Sequence, residues 1–340
     1  MKSKFIESYI GLYNKLNFDV SIREIKDIAQ KNNTRLAHYR IKGKDVTYVD
    51  DGEYFETQYN SSQFMLMLKL VAEKYQDLDM ELLYCLWDFP ILQNLPVFSM
   101  ANNPQKNVYN PVVFYEHAHL IKMFEDRHQV QSKFVDKKKR VYGRYGITGL
   151  QGIHLNNWTE YYKVQFALAS ISCPHLIDIK FTLVPHDLKY WERCINETMS
   201  PNIRELFFSI PFFDTSVSYI WTEVIDQAFD SQICIFSEGN SIASPGRILT
   251  CLHNDGVAMK IGKNNNKSFL DLVIDSIDDK VVYSIHDSPD NNFYSTVEKS
   301  LSDDDYRINK NKLVKEYFNQ KTMIDLTYET LKLYSVLVKK

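Results

Sequence analysis

The chain has little glycine: 11 residues in 340, where a typical usage of about 7% would supply roughly twice as many. That scarcity excludes collagen-like, elastic and low-complexity architectures. An excess of either charge is also missing. There are 40 basic and 43 acidic residues, for a formal net charge of −3, so nothing in the balance marks a dedicated nucleic-acid binder. The one local basic run, Lys137-Lys138-Lys139-Arg140, is short and reads as the solvated start of a strand. Cysteine is sparse and odd in number. Cys85, Cys173, Cys194, Cys234 and Cys251 lie far apart, with no pair at metal-ligand spacing, which points to reduced structural thiols and a cytoplasmic location. The best apolar run, Phe64 to Ala72, is broken by Lys69 and falls well below the ~18 residues a membrane span needs. No span is expected, and only peripheral membrane association is left open. Met1 to Glu7 lacks the continuous apolar stretch of a signal peptide.

What is present fits a soluble folded protein. Hydrophobic residues make up 44% and charged residues 24% of the chain. At roughly 150 residues per domain, the length suggests two domains. The first 60 residues are polar and helical in character. Ser61-Ser62 looks like the N-cap of an amphipathic helix running to about Tyr75. Met80 to Trp87 reads as a buried strand ending in the turn Asp88-Phe89-Pro90, and a second short run follows at Pro96 to Met100. Helical character resumes over Val113 to Arg127.

From Arg140 the rhythm changes. Strand-like segments at 140–144, 176–182, 232–236, 256–261 and 280–285 alternate with helical ones at 158–170, 186–197, 244–253, 267–277 and 291–301. This alternation predicts a mostly parallel sheet with helices on both faces. Closing helices follow from Asp305. The resulting division is an N-terminal α/β domain over residues 1–130 and a C-terminal α/β domain over 131–319. The final helix, about 320–340, is expected to pack back on the first domain.

The glycines are unevenly placed. Four of the 11 lie between Gly143 and Gly152, and four more between Gly239 and Gly262. Both windows begin where a strand gives way to a helix. Ligands of open α/β sheets bind at that edge, where glycine lets backbone amides approach a phosphate. The first window, Tyr142-Gly143-Arg144-Tyr145-Gly146-Ile147-Thr148-Gly149, is neither a Walker loop nor a dinucleotide fingerprint. It offers a guanidinium and a hydroxyl after a strand, or else a tight turn with a surface arginine. The second, Ser237-Glu238-Gly239-Asn240-Ser241-Ile242-Ala243-Ser244-Pro245-Gly246-Arg247, places an arginine in the first turn of a helix. That position opposes the macrodipole unless both bind an anion. An ordinary helix capped by Ser244 is the competing reading. Asp88, at the carboxyl end of a strand, is suited to a general base, but on spacing alone the local explanation, an aspartate before a proline turn, prevails. His117 and His119 diverge on a helix and read as a polar face.

Taken together, these segments resemble glycosyltransferase family 90, the capsule-associated-protein and protein O-glucosyltransferase (Rumi-like) family. Trp87-Asp88-Phe89-Pro90 followed by Pro96-Val97-Phe98-Ser99 looks like the family's Asp-aromatic-Pro and Pro-Val-Phe-Ser segments. Asn110-Pro111 precedes the aromatic pair Phe114-Tyr115. Arg144 with Thr148-Gly149 is similar to its Phe-Arg-Gly-x-x-Thr-Gly segment. Leu176 to Thr182 matches its Leu-Ile-Asp-Ala-x-Phe-Thr strand, and Glu238 to Arg247 followed by Gly256 to Lys260 resembles its donor-site strand, arginine helix and next strand. The order is conserved over roughly Met80 to Gly262. Three positions depart from the pattern: Tyr145 replaces a glycine, Gly143 replaces an aromatic, and Lys163 stands near a further family arginine.

The resemblance implies two Rossmann-like domains facing across a cleft, the GT-B arrangement. It also implies an inverting, metal-independent glycosyltransferase with no cofactor. Such an enzyme moves glucose or xylose from a UDP-sugar to a hydroxyl of a glycan or glycoprotein acceptor, such as capsule or lipopolysaccharide. Asp88 would be the base. Arg144, Thr148, Gly149, Gly239, Asn240, Ser241, Ser244 and Arg247 would bind the donor. Asp79-Met80-Glu81 opens a buried strand and is discounted as a metal motif. The alternatives are a non-catalytic nucleotide- or glycan-binding protein on the same fold, and a sugar phosphotransferase, which a divalent-metal requirement would mark.

Overall fold

In a computed structural model, the structure describes residues 16–50, 52, 54, 58–86, 92, 94–99, 101–102, 133–145, 159, 161–182, 201–202, 205, 209, 213–214, 227–237, 242–243, 256–262, 284–317 and 319–338. They form a mixed α/β protein built on two larger sheets and a two-stranded ribbon.

The first sheet has the order β2-β1-β3-β4, with β1 at Leu36–Lys42, β2 at Asp45–Tyr48, β3 at Asp79–Cys85 and β4 at Val97–Phe98. A hairpin stands where the polar composition of the first 60 residues suggested helix. Leu36 to Lys42 alternates, burying Ala37, Tyr39 and Ile41 on one face. Gly43 then adopts φ +60° as the first residue of a two-residue turn, a backbone conformation that favours glycine. β1 pairs antiparallel with β2 and β3, while β3 and β4 run parallel. Helix α1 (Ile22–Lys31) covers the other face, opened by a reciprocal capping box between Ser21 and Glu24. On that face Arg40 donates to Asp79 and Glu81, at 2.6 and 3.0 Å. The Asp-Met-Glu carboxylates are therefore paired with a strand neighbour.

Helix α2 spans Tyr59–Lys74 and begins earlier than Ser61-Ser62 suggested. Ser61 is fully buried inside it, its hydroxyl 2.7 Å from the Tyr39 hydroxyl and 3.1 Å from that of Tyr48. The serine serves tertiary partners instead of capping.

The second sheet is wholly parallel, with the order β12-β11-β9-β6-β7-β8. Its strands are β6 (Lys138–Tyr145), β7 (Ile177–Thr182), β8 (Phe213–Asp214), β9 (Ser231–Ser237), β11 (Val257–Ile261) and β12 (Ser284–His286). From β6 the chain winds outward through β7 and β8, then returns to the other side of β6 for β9, β11 and β12. This is the doubly wound 3-2-1-4-5-6 arrangement, and its order reverses between β6 and β9. One face packs Val141, Ile179, Ile233, Ile235 and Met259 against α3 (Tyr162–Ser172) and α4 (Asn291–Ser302) through Val164, Phe166, Phe293 and Val297. Gly143 lies inside β6. A methyl group there would stand 3.4 Å from Ile179 and Ile235 on the flanking strands, so this glycine serves strand packing.

After α5 (Asp304–Tyr317), helix α6 (Gln320–Val338) runs back to the first sheet. Tyr328 stacks on Tyr75 at 3.8 Å, Asp325 pairs with Lys74, and the Tyr334 hydroxyl donates to the Pro96 carbonyl at 2.8 Å. Through α6 one apolar cluster joins Phe64, Tyr84 and Phe98 of the first half to Tyr142, Cys234, Phe236 and Ala258 of the second.

Candidate functional site

Because β6 and β9 are parallel neighbours, their carboxyl ends, Tyr145 and Ser237, leave the sheet at the same edge. The two glycine windows continue from these two strands. They therefore start side by side where the strand order reverses, the position at which doubly wound sheets open a crevice for ligands. The second window also meets the first half of the chain. Within it, β10 (Ile242–Ala243) pairs antiparallel with β5 (Ala101–Asn102), Ile242 opposite Asn102 and Ala243 opposite Ala101. This two-residue ribbon ties the segment following Pro96-Val97-Phe98-Ser99 to the small-residue loop after β9.

Of the site residues proposed from sequence, Arg144 is described. Asp88, Thr148, Gly149, Gly239, Asn240, Ser241, Ser244 and Arg247 lie outside the described residues, as do His117 and His119. Arg144 is neither in a loop nor on the surface. It is the penultimate residue of β6, with its side chain 5% exposed. Nη2 donates to Asp178 Oδ1 at 2.8 Å, and Nη1 donates to the Asp178 and Gly143 carbonyls at 2.8 and 2.9 Å. The other Asp178 oxygen accepts from Arg140 Nη1 at 2.7 Å. One carboxylate thus holds two guanidinium groups, and both lie within about 5 Å of the Tyr142 ring, as cation–π pairs do.

Alternation explains the cluster. In Ile177-Asp178-Ile179-Lys180-Phe181-Thr182 the apolar residues enter the core face, and Asp178 and Lys180 take the other. Register then sets Tyr142 opposite Asp178 and Arg144 opposite Lys180. Asp178 stands in the family-like strand, yet its pairing with Arg144 needs the register to be seen.

Two further cations are buried near this edge, Lys163 and Lys260, each 1% exposed. Lys163 lies in the first turn of α3. Its carbonyl accepts from the Tyr145 hydroxyl at 3.0 Å, fastening the helix start to the end of β6. Burial holds the Tyr145 hydroxyl well above its ordinary pKa, so it stays a neutral donor. Lys260 is the penultimate residue of β11. In the sequence Lys163 stands out only as a departure near a family arginine and Lys260 only as the end of a family-like strand; their burial is what the fold adds.

Among the described residues, no three His, Cys, Asp or Glu side chains are grouped to hold a metal ion. No described helix is long and apolar enough to cross a membrane.

No protein-family model and no curated protein matches the chain. Solved structures do. Anabaena Alr3699/HepE, determined in complex with UDP, is 12% identical, with a TM-score of 0.33 over 80% of this chain and 68% of that one. The GtfA/B complex is 9% identical, with a TM-score of 0.29 over 72% of this chain and 46% of that one. Both are distant likenesses, and neither lends this chain an activity.

Proposed function

We propose that the chain is a glycosyltransferase that uses a UDP-sugar. One observation carries the reading: the two glycine windows leave the two strands that flank the reversal point of a 3-2-1-4-5-6 parallel sheet. Backbone amides and helix N-termini at such an edge favour a phosphorylated ligand. The family-90 resemblance supplies the chemistry.

In this scheme Asp88 removes the proton from an acceptor hydroxyl. The oxygen attacks the anomeric carbon from the face opposite the nucleotide, forming the new glycosidic bond with inversion as the bond to the diphosphate breaks. UDP departs with the bonding electron pair. Arg247, its helix N-terminus and Arg144 offset the charge that develops on it, so no metal is needed. Glucose or xylose is the sugar transferred, and a glycan or glycoprotein provides the hydroxyl.

A panel of UDP-sugars with candidate acceptors, scored for UDP release with and without EDTA, tests this reading. Release should persist in EDTA. Asp88→Asn should abolish it while UDP binding survives, and full activity in that variant would remove Asp88 from the role. A second reading, a non-catalytic nucleotide- or glycan-binding protein, draws support from Arg144, whose guanidinium is already committed to Asp178 and two carbonyls. That reading gives UDP binding without turnover on any acceptor.

A further inference from the structure

We infer that the β5–β10 ribbon is a breakable strap between the two halves of the chain, and that it closes when a nucleoside diphosphate occupies the crevice at the reversal point. The second part rests on the nucleotide-sugar reading above. Every strand of the first sheet comes from residues 36–98, and every strand of the parallel sheet from residues 138–286. Among the described residues, the ribbon is the one strand pairing that joins the two parts.

Chain geometry fixes where it lies. Ile242 follows Ser237, the last residue of β9, by five residues, and Ala101 follows Phe98, the last of β4, by three. An extended chain covers at most about 3.5 Å per residue, so the ribbon stands within roughly 17 Å of the end of β9 and roughly 10 Å of the end of β4. β4 runs parallel to β3, and β9 parallel to β6. The ribbon thus links the carboxyl ends of β3 and β4 to the carboxyl edge of the parallel sheet, where the order reverses and ligands enter.

The ribbon is short enough to open. Its two facing pairs make a shorter ladder than an ordinary hairpin, which is itself marginal when isolated in water. Opening it leaves the halves joined through α6. There the Tyr334 hydroxyl holds the Pro96 carbonyl at 2.8 Å, and Tyr334 and Phe98 belong to the apolar cluster that also contains Tyr142 and Phe236. A firm tie beside a weak one allows the weak one to respond to a ligand. A ligand in the crevice touches both linked edges only when the ribbon is formed, and that difference in contact favours the closed arrangement. By linkage, holding the ribbon closed tightens the ligand by the same factor.

Ala101 and Ala243 stand directly opposite one another, and facing antiparallel residues have Cα atoms about 4.5–5.5 Å apart, which a disulfide can span. The test oxidises the Ala101→Cys/Ala243→Cys chain, identifies the 101–243 cross-link by peptide mass spectrometry, and measures UDP affinity by calorimetry in the oxidised and reduced forms. The oxidised form should bind UDP at least about fivefold more tightly, and neither single variant should change on oxidation. In the wild-type chain, UDP should slow amide exchange in the peptides holding 101–102 and 242–243 alike. Asn102→Cys/Ile242→Cys, the other facing pair, serves if the first variant does not fold. Failure of both pairs to cross-link overturns the strap. Equal UDP affinity in the two redox forms, or protection of 242–243 alone, overturns the coupling and leaves the nucleotide reading standing. If the wild type binds no UDP, the nucleotide reading falls and the coupling falls with it, while the cross-link still judges the strap.

Discussion

Asp178 holds the two arginines at the reversal point, and its removal has a calculable cost. In Asp178→Asn the shape is kept and the charge is lost. The amide oxygen can accept from one guanidinium, but its NH2 group then faces the other, setting donor against donor. Removing one partner of a buried ion pair costs about 3–5 kcal/mol, while an exposed pair contributes below about 1 kcal/mol. The Arg144 side chain is 5% exposed, whereas Asp178 and Arg140 are 18% and 19% exposed, so the site belongs nearer the buried limit. Two features moderate the loss. Arg144 keeps its bonds to the carbonyls of Gly143 and Asp178, and Arg140 keeps Ser231 Oγ and Gln227 Oε1. The expected destabilisation is about 2–4 kcal/mol. With a urea m-value of about 3 kcal/mol per molar, the unfolding midpoint falls by roughly 1 M. Urea titrations followed by circular dichroism and tryptophan fluorescence measure it. A cycle with Arg144→Met should return a coupling energy of at least about 1.5 kcal/mol. A shift below about 0.5 kcal/mol for Asp178→Asn would refute the pairing as a stabilising element.

Two further outcomes follow from other parts of the fold. Ser61→Ala removes the hydroxyl shared by Tyr39 and Tyr48, although Tyr39 keeps the Ser61 carbonyl at 3.1 Å, and should cost about 1 kcal/mol in the same titration; no change would mean that both tyrosines rebond freely. At α6, Lys74 and Tyr75 are raised in pKa chiefly by hydrogen bonds to Asp325, and Tyr328 by its bond to Asp77. Groups with raised folded values contribute stability that is complete below their unfolded values, about 10 for tyrosine and 10.4 for lysine, and lost as pH rises through the folded ones. Thermal melts should therefore hold constant to about pH 9.5 and decline above it, in step with tyrosinate absorbance. Tyr328→Phe should lessen that decline, and an unchanged profile in the variant would contradict the assignment.

In the second half of the chain β9 and β11 were legible as continuous buried runs, and β7 by its alternation. The runs read at 140–144, 176–182, 232–236 and 256–261 coincide with described strands to within a few residues, and of 280–285 the described part, 284–285, lies in β12. The first sheet was harder. Leu36 to Lys42 interleaves His38, Arg40 and Lys42 with its apolar residues, and His38 and Arg40 reach Glu81 only once β3 lies alongside. The same holds at the site. The two windows could be placed after strands, but their adjacency required the strand order. The engagement of Arg144 by Asp178 required the register, which no local pattern encodes. Ser61 was mistaken for a cap because capping and tertiary bonding use the same hydroxyl.

The return of α6 to the first sheet has a consequence for synthesis. The hydroxyls of Tyr75, Tyr328 and Tyr334 make bonds that bridge 250, 251 and 238 residues of chain. At about 5–20 residues per second, a ribosome needs roughly 10–50 s to go from β4 to the start of α6. For that interval Phe98 lacks Tyr334, its ring neighbour at 4.8 Å, and Tyr75 lacks the ring that stacks on it. The amino-terminal half thus emerges with an unfinished apolar surface, and its core closes only after α6 has been synthesised.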